Sequence, residues 1–107
     1  MDDKKAENTL LNTITELILF YVKQNYEDYL IKKNINSIPN SDISNVVNQL
    51  YTDRKKHIKG FILNSLKELY HDNYPGDVLV NSIIFDIFSD DDICKQRLIT
   101  EIINYQS

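Results

Sequence analysis

Hydrophobic side chains recur along this chain every three to four positions, the spacing that lines one face of an α-helix. Leu10, Leu11, Ile14, Leu17, Ile18, Tyr21, Val22 and Tyr29 fall on one arc, which predicts an amphipathic helix over residues 8–33, with residues 1–7 as a tail before it. Leu19, Tyr26 and Leu30 form a second apolar line roughly opposite, and Phe20 and Ile31 a third. Such a helix must be covered on more than one side, either by several neighbours within the domain or by a second copy of the chain. Leu19, Phe20, Tyr26 and Leu30 are therefore the candidate interaction surface.

Residues 34–40 read as a connector, because Pro39 lacks the N–H of a helix interior and disfavours helical geometry just before it. Ser41 or Asn40 can cap the next helix, with Asp42 at its positive end. From Ile43 an apolar stripe through Val46, Val47, Leu50, Tyr51, Ile58, Phe61, Ile62, Leu66 and Leu69 keeps one phase to Tyr70. One long helix, or two nearly collinear ones broken within residues 52–57, fits this stripe. Residues 71–76, His-Asp-Asn-Tyr-Pro-Gly, are a strong stop. Asp77 then opens a segment over residues 78–88 with only a thin polar strip, expected to be the most buried helix; its β-branched and aromatic content leaves a strand as the alternative. Ser89 followed by three aspartates resembles a capping box for a last helix reaching Tyr105, with Cys94, Leu98, Ile99, Ile102, Ile103 and Tyr105 on its buried side. The expected fold is all-α, a single compact bundle of four or five helices, two long and then two short.

The chain has 107 residues, a length that can bury a core without disulfides or metal. Its lone Cys94 fits a reducing compartment and excludes a thiolate zinc cage within one chain. No apolar run reaches the roughly 20 residues of a membrane span, and no secretory leader is evident, so a cytoplasmic or intravirion location is expected. Gly60 and Gly76 are the only glycines, which leaves no phosphate-cradling loop.

The net charge is −4, with the acidity in the C-terminal third and one basic patch, Arg54, Lys55, Lys56 and Lys59. That patch could neutralise phosphates of a nucleic acid, or meet the acidic residues Asp86, Asp90, Asp91 and Asp92 of another chain; the ordinary alternative is a solvated helix face. The aspartates lack the alternation and glycine of a calcium loop, so helix capping is the simpler role. A buried Cys94 with only His57 and His71 as imidazoles makes a poor catalytic or metal inventory. No cofactor and no small-molecule substrate are expected. The seven tyrosines suit either binding surfaces or core edges.

Residues 50–69, Tyr74-Pro75-Gly76-Asp77 and Leu98-Ile99-Thr100-Glu101-Ile102, together with an AT-rich bias visible in fifteen Ile and twelve Asn, resemble small uncharacterised helical proteins of the large DNA viruses that infect amoebae. The resemblance implies an origin and carries no functional residue. The expected function is a non-enzymatic protein-interaction module that associates with itself through the first helix; the alternative is an anion or nucleic-acid binder using the basic patch.

Overall fold

The computed structural model describes the backbone of residues 3–89 and 91–106, and the side chains of residues 8–89 and 94–106. Five α-helices make up the described chain: α1 (Asp3–Lys33), α2 (Asn40–Leu50), α3 (Lys55–Tyr70), α4 (Asp77–Ser89) and α5 (Asp91–Gln106). There is no strand among the described residues, so the all-α bundle is the fold and residues 78–88 are helical. Helix α1 begins at Asp3 and not at Asn8; Lys4, Lys5, Ala6 and Glu7 are good helix formers, so part of the expected tail continues the helix. At 31 residues and about 1.5 Å each, α1 sets the long dimension of a molecule measuring 47 × 24 × 23 Å.

Helix α1 ends where Asn34 adopts φ +56°, a left-handed turn that asparagine tolerates. The Ile35 N–H reaches back to the Leu30 carbonyl and the Asn34 N–H to that of Ile31, both at 3.1 Å, closing a Schellman motif. The cap of α2 is Pro39, without a side-chain bond, in place of the expected Ser41 or Asn40. Ile38 and Ile43, 4% and 0% exposed, occupy the two positions of a hydrophobic staple around it.

The second long stretch is divided. Tyr51 caps α2, its N–H bonded to the Val47 carbonyl at 2.8 Å, and a 3-10 turn, Thr52–Arg54, separates α2 from α3. Thr and Asp are poor helix formers, and the break lets α2 pack on α1 and α5 while α3 packs on α1 and α4. Both helices keep their apolar stripe inward, so Ile43, Val47, Tyr51, Ile58, Ile62 and Leu66 are fully buried beside Ile14, Ile18 and Val22 of α1.

Helix α4 is not the most buried. It touches α3 and α5 but lies at the edge of the bundle, so only Val80 and Ile84 are enclosed, while Val78 and Phe85 are 87% and 71% exposed. Ser89, expected to cap α5, is the last residue of α4, and its hydroxyl donates to the Phe85 carbonyl at 2.8 Å; Asp90 lies outside the described residues. In α5, Leu98 and Ile102 are buried as expected, but Tyr105 is exposed. Its ring meets the edge of Tyr26 and its hydroxyl donates to Glu27.

The last described residue, Gln106, ties the connector to the end of α5. Its Oε1 accepts the Ile38 N–H at 2.7 Å and the Tyr26 hydroxyl, and its Nε2 donates to the Ile38 carbonyl at 3.1 Å. Burial, with the nearby Tyr105, raises the pKa of the Tyr26 phenol above its ordinary value.

Helix α3 stops at His71, which has φ +48° and ψ −117°, a region that crowds a Cβ and suits glycine. Relief of strain there outweighs the chain entropy that glycine adds. His71→Gly is therefore expected to stabilise the fold by about 1 kcal/mol, read as a rise in thermal midpoint of about 4–8 °C. A lower midpoint would mean that contacts of the imidazole, not strain, decide the site.

Just beyond, the Tyr74 hydroxyl donates to Asp77 Oδ1 at 2.5 Å, and Lys67 Nζ lies 5.7 Å from the Tyr74 ring centre. Burial, then the hydrogen bond to Asp77 and its charge, push the Tyr74 pKa up to about 12. The folded value is above the ordinary 10.0, so the neutral phenol favours the fold; that stabilisation is complete below pH 10 and is lost as pH rises towards 12. Alkaline titration of phenolate absorbance should show a late component near pH 12 that is absent in Tyr74→Phe and in the unfolded chain.

Candidate interaction surface

Helices α1 and α3 border an open groove of about 1080 Å³, lined by Leu17, Leu19, Phe20, Phe61 and Leu69 together with Glu16, Lys23, Glu68 and small polar residues. Phe20 is 52% exposed and Leu69 62%. Phe20 stacks on Phe61 with centroids 6.2 Å apart, and Tyr21 meets Phe61 at a tilt of 51° with centroids 5.3 Å apart. The aromatic shelf is thus held by rings from both helices while one edge meets solvent. The helices run antiparallel, because Phe20 lies by Phe61 while Thr9 and Asn12 share the other end of the groove with Leu69.

Of the four residues expected to form the surface, only Phe20 is exposed. Leu19 and Tyr26, at 4% and 1%, belong to the core, and Leu30 is half-buried against it. The cause is α5, which covers that side of α1: Arg97 pairs with Glu16 and Glu101 with Lys23, each at 3.2 Å, and Gln106 bonds to Tyr26. The second apolar line was thus a seam within the domain. Phe61 and Leu69 went unrecognised because they share the helical phase of the buried stripe; Leu69 stands at its margin, past the point where a neighbour covers it.

The basic patch is not one cationic face. Lys55 turns inward, with Nζ 5.6 Å from the Tyr51 ring centre, 5.3 Å from that of Phe88 and 3.5 Å from the Phe88 carbonyl. There its charge sits at the negative end of α4. Arg54 Nη1 donates to Asn25 Oδ1 at 3.3 Å. Lys56 and Lys59 are exposed, Lys59 on the rim of a hollow of about 430 Å³ whose other walls include Ile84, Phe85 and Phe88.

Cys94 is half-buried, not buried, beside a hollow of about 410 Å³ that Asp86 and Arg97 also line. His57 and His71 are both exposed. Among the described residues no three His, Cys, Asp or Glu side chains converge on a point that could hold a metal ion. No helix among them is long and apolar enough to cross a membrane.

Comparison of the chain with protein-family models, with curated proteins and with solved structures finds no match.

Proposed function

We propose that this protein is a non-enzymatic interaction module that associates with itself through the α1–α3 groove. The observation that carries this reading is the exposure of Phe20 and Leu69 on either side of the Phe61 shelf, in one groove. Single apolar residues on a surface are ordinary; aromatic and aliphatic side chains brought together from two helices, beside the charges of Glu16, Lys23 and Glu68, offer both the apolar contact and the charged groups that an interface uses. The nucleic-acid reading has less behind it, since Lys55 is folded onto two rings, which leaves the exposed Arg54, Lys56 and Lys59 to meet phosphates. No cofactor or small-molecule substrate enters the proposal.

The test is the mass in solution by light scattering over a wide concentration range. Self-association predicts a weight-average mass that climbs from 12.6 kDa towards a dimer as concentration rises. A constant monomer mass overturns it. Retention on mixed DNA at low salt that disappears on replacing Arg54, Lys56 and Lys59 would favour the other reading.

A further inference from the structure

We infer that the pairing is antiparallel, with α1 of one copy laid along α1 of the other and the two-fold axis passing at Phe20. This rests on the self-association proposed above and adds its register. A two-fold interface uses the same patch on both copies, so the patch must complement itself. Along the groove, Glu16 and Lys23 bracket Phe20, four positions before it and three after. Being seven residues apart, they share one stripe of the helix, about 10 Å from each other. A parallel copy would bring like charges together. An antiparallel copy centred on Phe20 places each Glu16 against the other copy's Lys23, twice over, around a middle made of Leu17, Phe20 and Phe61.

The bridges within the chain extend this arrangement. Glu16 already holds Arg97, and its side chain remains 69% exposed; Lys23 holds Glu101 and remains 36% exposed. Pairing sets Arg97, Glu16, the other copy's Lys23 and the other copy's Glu101 in a row of alternating sign, and no existing bridge has to break. A standard interface takes about 800 Å² from each partner, a small part of the 7002 Å² surface, and α1, at 31 residues, is the longest of the described helices.

Two charge reversals test the register. Glu16→Lys alone sets lysine against lysine in its own dimer, and Lys23→Glu alone sets glutamate against glutamate, so each should dimerise at least roughly ten-fold more weakly than the wild type. Mixed together, one variant offers two lysines and the other two glutamates at the matching positions, so the equimolar mixture should form a heterodimer of near wild-type affinity by sedimentation velocity and native mass spectrometry. Whatever the reversals do to the bridges with Arg97 and Glu101 is the same alone and mixed, so the comparison cancels it. Circular dichroism establishes that both variants are folded. If the wild type dimerises but the mixture does no better than its components, the register is wrong and self-association stands. A wild type that stays monomeric removes both.

Discussion

Gln106→Ala is expected to cost about 2–3 kcal/mol of folding free energy, a large loss for one polar side chain. The truncation removes the acceptor shared by the Tyr26 hydroxyl and the Ile38 N–H, and the donor to the Ile38 carbonyl. Tyr26 is 1% exposed and Ile38 4%, so water replaces those bonds poorly, and each orphaned group costs about 1–3 kcal/mol. Tyr26→Phe removes only one bond and should cost about 1 kcal/mol. The double variant should cost less than the sum of the two, because the hydroxyl and its acceptor form one network. Urea unfolding followed by circular dichroism reads all three; a Gln106→Ala midpoint within error of wild type would show the connector to be held by apolar packing alone.

Neighbouring residues on α1 should respond in opposite ways to the same substitution. Leu19→Asp places a carboxylate at a site 4% exposed among apolar side chains. The lost packing alone costs about 2–5 kcal/mol, and the uncompensated polar group adds more. Against the 5–15 kcal/mol that holds a typical domain, the outcome is a chain largely unfolded at room temperature. Phe20→Asp falls at a site 52% exposed and should change stability by about 1 kcal/mol or less, leaving the helical spectrum unchanged while abolishing the rise of mass with concentration. A folded Leu19→Asp variant would contradict the burial of that side of α1 beneath α5. A Phe20→Asp variant that still dimerises would move the contact surface elsewhere.

These two residues also mark how far local pattern reaches. Helix limits are legible wherever the chemistry is local: Pro39, the Pro-Gly pair and the Thr-Asp at the end of α2 each act within a few residues, and each falls in a break between helices. The face of α1 that another helix covers is not local. Leu19 and Tyr26 look the same in sequence whether α5 of the same chain or another molecule lies on them, and the contacts that tell the two apart, of Gln106 with Tyr26, Arg97 with Glu16 and Glu101 with Lys23, each reach across about eighty residues. The groove was hidden for a related reason. Phe61 and Leu69 keep the phase of Ile58, Ile62 and Leu66, and phase does not say where a neighbouring helix ends. Gln106 gave no signal, since a glutamine in a last helical turn is ordinarily solvated. In the sequence Lys55 is one of a run of charged residues, whereas its place depends on Phe88, thirty-three residues away.

The clasp between Gln106 and the connector also bears on how the protein comes into being. A ribosome adds roughly 5–20 residues per second, so α1 and α2 emerge seconds before the turn of α5 that fastens them. During that interval the side of α1 bearing Leu19 and Tyr26 has no lid. The nascent chain must therefore pass through a stage with this apolar seam still open, and the seam closes only once residue 106 has been made and has left the ribosome.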